Sequence, residues 1–512
     1  MRFERLLQDG LVSSAVARPD KVALIAEDGT ATFAELLARS TAVAAALQDE
    51  GLRPEDRVVV FMENSLACAT AVFGILLAGG VFVMVNAQTK EDRLGYIIDD
   101  SGARILLSEG PISRIAVDAC AAAEAPPKLV VARAPMDVAS RGSDFQRMVE
   151  SEGKPRASGA TPSDLAALLY TSGSSGTPKG VMLTHESLAF VTASIVDYLR
   201  LGSDDRILNV LPMAFGYGLS QLLLTAHLGG TLVLERSFAY PAETLRLLEL
   251  HEVTVLPGIP TIFATLASSF GTSEKTYPSI TRITNAAAAL PPALHAPLRK
   301  LFPNALIFRM YGQTECIRVC YLEPELIDRK PTSVGRAIPG TDAFVLDDDG
   351  RPAAAGTVGT LYVRGPHVMR GYWNAPEQTE GMISSSDANG ERVLCTHDLF
   401  TTDEDGDLYF VSRSDEMIKT RGEKVSPIQV ENVLFALPGV KEAAVVGVPD
   451  EHLGEAIRAY VVREEGSSLK EAQVVRACRE QLEAFAVPHE VRFVDDLPKT
   501  PSGKIRRKSL LA

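Results

Sequence analysis

Cysteine is scarce and unpatterned in this chain. The six residues (Cys68, Cys120, Cys316, Cys320, Cys395, Cys478) form no C-x-x-C pair and no cluster with histidines at zinc-ligand spacing. A disulfide-stapled miniprotein and a zinc-ribbon site are excluded, and the thiols read as free in a reducing, cytoplasmic compartment. No long basic run exists either. With 51 Lys and Arg against 65 Asp and Glu, the formal charge is −14, the opposite of a phosphate-tracking surface, so nucleic acid is not an expected partner. The N-terminus, MRFERLLQDG, carries charge where an export signal needs an apolar run. One uncharged stretch, residues 66–85, has the length of a membrane span. Gly79 and Gly80 divide it into a helix-like part and a β-branched, aromatic part, which predicts a buried helix followed by a core strand.

What is present is an ordinary globular composition, 46% hydrophobic and 23% charged over 512 residues, enough for more than one domain. From about residue 33 to 107, helical patterns alternate with short apolar strands (RVVVFM, VFVMV, ARILLS), and the unit recurs from TLVLE through VTVLPG to ALIFRMYG. This predicts two stacked, doubly wound α/β sheets. Residues 333–371 change to short strands with turn pairs, a smaller β-rich subdomain. Beyond residue 412 a compact α+β unit begins, with helices around 429–437 and 469–485 and strands EAAVVGV and AIRAYVV. The expected division is therefore a large α/β domain over residues 1–412 and a small C-terminal α+β domain over residues 413–512.

The chemistry concentrates first in LLYTSGSSGTPKGVMLTHESL, residues 168–188. Eight of the ten residues from Thr171 to Gly180 are Ser, Thr or Gly, and Lys179 precedes an apolar, helix-like stretch. Glycines let backbone N–H groups converge on phosphate oxygens while hydroxyls and a lysine add donors and charge, so this is a candidate polyphosphate cradle. It is not a Walker A loop, because Pro178 stands where the second glycine should be. A plain Gly/Ser linker is the bland alternative.

YTSGSSGTPKG resembles the phosphate loop of the adenylate-forming superfamily, which includes acyl-CoA synthetases, nonribosomal-peptide adenylation domains and beetle luciferases. Further motifs of that superfamily follow in order: MYGQTE (310–315), RGYWNAPEQT (370–379), THD (396–398), SRSDEMIKTRGEKVSP (412–427) and PKTPSGKIRR (498–507). The resemblance covers essentially the whole chain. It implies the following roles. Thr171, Ser172, Gly173, Ser174, Thr177 and Lys179 hold phosphates, Thr314 contacts the phosphate region, and Glu315 is the Mg²⁺ ligand. Tyr311 stacks on adenine opposite residues 285–289, Asp398 accepts the ribose hydroxyls and Arg413 assists. Lys504 reaches the bond-forming centre. Asp415 is the hinge about which the C-terminal domain turns as a mobile lid, and Gly422 and Lys424 line the thiol tunnel. Phe215, Tyr217, Gly218, Ile259, Ala286 and Ile317 line the acid pocket.

The implied reaction is ATP-dependent activation of a carboxylic acid to acyl-AMP with pyrophosphate release, then transfer to the thiol of coenzyme A. Transfer to the phosphopantetheine arm of a carrier protein is the alternative, since both thiols end in the same arm. A luciferase-like oxygenase and a non-enzymatic nucleotide-binding regulator are weaker rivals. Departures from the superfamily pattern are informative. Ala214 and Phe215 replace the aromatic–histidine pair that often gates the tunnel. No acid occurs in FGYGLS (215–220) to pair with an α-ammonium, so an apolar aliphatic or aromatic acid is expected rather than an amino acid. His397 stands where a glycine is usual and reads as a solvated loop histidine. Arg318 reads as outward-facing, with recognition of a second acidic group as the other reading.

Overall fold

The computed structural model describes residues 5–172, 178–270, 275–385, 391–421, 423–450, 453–500 and 503–511. Two large sheets carry most of the chain. The first has parallel strands Arg57–Phe61, Val81–Val85, Ile105–Glu109, Lys128–Ala132, Ser143–Asp144 and Leu165–Ser172, extended antiparallel by Pro178–Thr184 and Gly371–Tyr372. The second has a parallel centre of Val22–Ala26, Thr231–Leu234, Arg206–Asn209, Val255–Gly258, Arg282–Asn285 and Leu306–Tyr311, closed by antiparallel edges. The repeated strand–helix alternation in the sequence is thus two α/β sheets, as the pattern predicts. One element departs from it: the hairpin Val22–Thr32 crosses to the second sheet through Leu24 beside Leu232.

Local chemistry sets the helix boundaries. Thr32 starts the helix Phe33–Asp49 with a reciprocal capping box, its hydroxyl accepting from Glu35 N–H at 3.2 Å and its own N–H donating to Glu35 Oε2 at 2.8 Å. Such a cap contributes about 1 kcal/mol. Ser65 caps the helix Leu66–Ala78, and Gly79 ends it at φ +83°, a conformation that costs glycine nothing. The strand Val81–Val85 that follows is buried at every position. Residues 66–85 are therefore core, and among the described residues no helix is long and apolar enough to cross a membrane.

The β-rich subdomain is larger than residues 333–371. It is an antiparallel sheet of Asp342–Leu346, Gly359–Arg364, Ile383–Ser385, Arg392–Thr402 and Leu408–Arg413. Its buried Val345, Leu361, Val363, Leu394 and Phe400 belong to the same core cluster as the helices between the large sheets. After the turn 414–416 a fourth sheet begins, with Ile418–Thr420, Glu423–Val425, Val440–Asp450, Gly454–Arg463 and Glu490–Val494, and it has its own apolar cluster. The helices expected there are Pro427–Phe435 and Glu471–Gln481.

Candidate active site

The crevice between the third and fourth sheets gathers the charged residues. In the antiparallel pairing of Arg392–Thr402 with Leu408–Arg413, Asp398 lies directly opposite Arg413, so a hairpin register alone makes them neighbours. Arg413 Nε stands 3.4 Å from Asp398 Oδ1, and the Tyr311 hydroxyl donates to Asp398 Oδ2 at 2.5 Å. Tyr311 ends the strand Leu306–Tyr311 and packs edge-on against Phe400 (4.8 Å) and beside Phe410 (6.1 Å). Burial raises the Asp398 pKa above the ordinary carboxylate value, with Arg413 and the Tyr311 hydrogen bond opposing it. The residue is 4% exposed. These two contacts leave acceptor positions on its oxygens for further donors.

Glu315 follows the same strand by four residues and is buried, its carbonyl accepting from Met369 N–H at 2.8 Å. Its Oε1 accepts the Tyr372 hydroxyl at 2.7 Å, and its Oε2 carries no hydrogen bond among the described residues. Tyr372 in turn lies under Lys179, whose Nζ is 5.3 Å from the ring centroid. One tyrosine therefore ties the phosphate-loop lysine to the candidate metal carboxylate. Sequence reasoning assigned Tyr372 no role, although RGYWNAPEQT marked its neighbourhood. Thr314 is half-buried in the turn before Glu315.

The segment after Lys179 corrects one expectation. Leu165–Ser172 and Pro178–Thr184 form an antiparallel hairpin with Thr171 opposite Lys179, so Lys179 sits on a strand and the helix His185–Tyr198 starts only after Thr184. The period-2 burial of Val181 and Leu183 had looked helix-like in a short apolar run. Gly173, Ser174 and Thr177, the Ser172 side chain, and Gly422 lie outside the described residues.

Lys504 enters the crevice from the C-terminal tail. Thr500 and Lys504 close a turn (Thr500 N–H to Lys504 O, 2.7 Å; Lys504 N–H to Thr500 Oγ1, 3.0 Å) with Gly503 at φ +80°. A Cβ on Gly503 would fall 2.2 Å from Ile259 Cδ1, so the turn rests directly on Ile259, a candidate for the acid pocket. The Lys504 ammonium is pushed below the usual lysine range by desolvation in the crevice, then by Arg413, while Asp398 and Glu315 act against the shift. The residue remains open to solvent at the crevice mouth. Downstream, Arg507 bonds Glu416 (2.9 Å) and Glu431 (2.8 Å), and the Tyr460 hydroxyl donates to Leu510 O (2.6 Å). The lysine thus rides on the fourth sheet as one unit. Asp415 is exposed in the turn joining the third and fourth sheets, 3.6 Å from Lys508 Nζ, and Lys424 is exposed on the hairpin Ile418–Val425.

The acid-pocket candidates gather at the N-terminus of the helix Gly216–Leu228. Phe215 caps it, and Ile317 packs over Gly216, where a Cβ would approach Ile317 Cδ1 to 2.8 Å. The Tyr217 hydroxyl bonds Thr284 O and Oγ1, both at 2.7 Å, and Ala286 is buried just beyond. Gly218 is no pocket wall: its missing Cβ lets the chain pass Pro212 O, which a Cβ would meet at 2.3 Å. Arg318 does not face outward. It is 2% exposed, with its guanidinium carbon 5.2 Å from the Tyr217 ring centroid and no ion pair among the described residues. Burying an uncompensated charge costs several kcal/mol, of which a desolvated cation–π contact returns about 2 kcal/mol or somewhat more. His397 is exposed, as expected, but it lies within the strand Arg392–Thr402 and not in a loop, and it is anchored. Its φ is +54°, the conformation a glycine would supply, and its ring nitrogens reach Gly381 O (3.1 Å) and Cys395 Sγ (3.8 Å).

The profile of the AMP-binding enzyme family matches residues 11–373, and that of the AMP-binding enzyme C-terminal domain matches residues 429–504. The chain belongs to the AMP-binding enzyme family. A relative from Rhodococcus jostii, named as a 3-[(3aS,4S,7aS)-7a-methyl-1,5-dioxo-octahydro-1H-inden-4-yl]propanoyl:CoA ligase, is 32% identical over 94% of this chain and 93% of its own length. Among solved structures, a benzoate CoA ligase from Burkholderia xenovorans superposes with a TM-score of 0.90 at 27% identity, covering 99% of this chain and 100% of that one. The o-succinylbenzoate CoA synthetase of Bacillus subtilis, solved with its acyl-adenylate intermediate, gives 0.85 at 28% identity over 100% and 99%. Family membership accounts for the order of the motifs and for the two-sheet architecture with a small C-terminal unit.

Proposed function

We propose that this enzyme activates a carboxylic acid with ATP and passes the acyl group to coenzyme A. The observation that carries the reading is the convergence of Lys504, Asp398, Arg413 and Glu315 in one crevice beside the apolar residues Ile259 and Ile317. The acid's carboxylate oxygen attacks the α-phosphorus, the α–β phosphoanhydride bond breaks, and pyrophosphate leaves. Two anions must meet, so the protein's task is to neutralise and align them. Lys179 and Lys504 supply positive charge, Asp398 receives the ribose hydroxyls, and Tyr311 and Arg413 hold Asp398 in place. In the second half-reaction the thiol sulfur attacks the acyl carbon and AMP departs with the bridging oxygen. The C-terminal unit turns about Asp415 between the halves, withdrawing Lys504 and presenting the face with Lys424.

The acceptor reading rests on relatives of full length that are named for coenzyme A. The test is acid-dependent ATP–pyrophosphate exchange over aliphatic and aromatic acids, followed by coenzyme A against a loaded carrier protein. Thioester on coenzyme A supports the reading, and exchange with no acid at all overturns it.

Mg²⁺ fits Glu315, a buried carboxylate with a free oxygen beside the phosphate-loop lysine and hence a hard donor of the kind this ion takes. When bound it would offset phosphate charge. Glu315→Gln is expected to raise the Mg²⁺ concentration giving half-maximal exchange about tenfold or more, by the loss of one charge-assisted contact. An unchanged Mg²⁺ titration removes Glu315 from the metal site.

A further inference from the structure

We propose that the acid activated here carries a second anionic group, a carboxylate remote from the reacting one, and that Arg318 binds it. The inference rests on the acid-activating reading above and names its substrate class.

Arg318 is a buried cation without a counter-charge. Its Nε is buried with no hydrogen-bond partner, and no carboxylate lies within ion-pair distance among the described residues. The titratable groups around it are Tyr198, Tyr217, Cys316 and Cys320, all held neutral because burial raises each of them. Among the described residues, Arg282 is paired with Asp205 at 3.0 Å and Arg507 with Glu431 at 2.8 Å. Arg309 also lacks an acid, but its titratable neighbour is His295, which is not a pocket residue.

Backbone strain directs the side chain inward. Ile317 sits at φ +61°, an outlier for a β-branched residue, and Arg318 N–H closes on Cys316 O at 2.6 Å. This tight turn places Ile317 on Gly216 and Arg318 over Tyr217, both in the first turn of the pocket helix. Tyr217 is itself pinned to Thr284, so the guanidinium rests on a fixed platform. Strain and desolvation together exceed what one ring contact returns, and a ligand carboxylate supplies the missing partner through the paired N–H donors of the guanidinium. Ile259, Ile317 and Phe215 leave the middle of the substrate apolar. The fitting class is an acid with an apolar body and carboxylates at two ends.

The test uses the full-length enzyme and matched pairs: hexanoate and adipate, octanoate and suberate, benzoate and terephthalate. In at least one pair the dicarboxylate should win by tenfold or more in kcat/KM for exchange. Arg318→Met should lower that value about 10- to 150-fold, the range for one charge-assisted contact, a larger drop than for the matched monocarboxylate, with the KM for ATP unchanged. Thermal melting gives an arm independent of turnover. Removing an uncompensated buried charge should raise the Tm of the ligand-free protein, and the favoured dicarboxylate should raise the Tm of wild type but not of Arg318→Met. Monocarboxylates winning every pair, with the same ranking in Arg318→Met, overturn the proposal. So does a lowered Tm in ligand-free Arg318→Met with no dicarboxylate effect on wild type, which marks a structural cation. If no acid supports exchange, the acid-activating reading fails, while the melting arm still decides Arg318.

Discussion

Lys504→Ala is expected to cut acid-dependent pyrophosphate exchange by about 10²- to 10³-fold, the loss typical of removing one preorganised electrostatic group, while conversion of supplied acyl-AMP to thioester continues at the wild-type rate. The split follows from where the lysine sits. In the present arrangement it faces Asp398, Glu315 and Arg413, so it acts while the phosphates are in place. Its pH signature is equally specific. Lys504 must be protonated to act, and its pKa lies below the ordinary lysine value through desolvation first and Arg413 second. Exchange by the free enzyme should therefore fall as pH rises through a value below the ordinary lysine range, and Lys504→Ala should lack that limb. Equal slowing of both half-reactions would place Lys504 in a shared structural role instead.

Gly503→Ala is the second change with a large expected effect, though it removes no functional group. The new methyl would lie 2.2 Å from Ile259 Cδ1, so that side-chain tip must turn away, and at φ +80° alanine is strained. Relief of the strained backbone shifts the turn that carries Lys504, and a displacement of about 1 Å at a reacting centre costs on the order of 10²-fold. Exchange should fall by that amount with at most a small drop in Tm, the drop coming from displacement of Ile259, which belongs to an apolar core cluster. Ile259→Ala in the same chain should restore part of the rate by opening the space, leaving only the backbone strain. Wild-type exchange in Gly503→Ala would show that the tail need not dock on Ile259.

Both effects concern a residue that the sequence motif already singled out, and the reason is physical. Lys504, Asp398, Arg413 and Glu315 lie in short segments whose spacing is set by one hairpin or one turn, so a linear motif suffices to name them. The alternation of helix and strand was legible for the same reason, as was the burial of residues 66–85 from the Gly79–Gly80 break. What the linear pattern hid depends on backbone signs and long-range contacts. The inward Arg318 follows from a positive φ at Ile317, which nothing in an isoleucine announces. Tyr372 joins Lys179 and Glu315, both of which precede it by more than fifty residues. Gly218 looked like pocket space and is a close pass of the backbone by Pro212. The extent of the β-rich sheet was hidden because the ribose motif THD, whose His397 read as a loop residue, lies inside the strand Arg392–Thr402.

Oxygen tracing tests the central claim most directly. With a substrate acid labelled with ¹⁸O in its carboxylate, the enzyme is given ATP and coenzyme A, and the AMP is analysed by mass spectrometry. If the carboxylate attacks the α-phosphorus and the thiol then displaces AMP, each AMP released carries one ¹⁸O and pyrophosphate carries none. Thioester formed with unlabelled AMP would contradict the account.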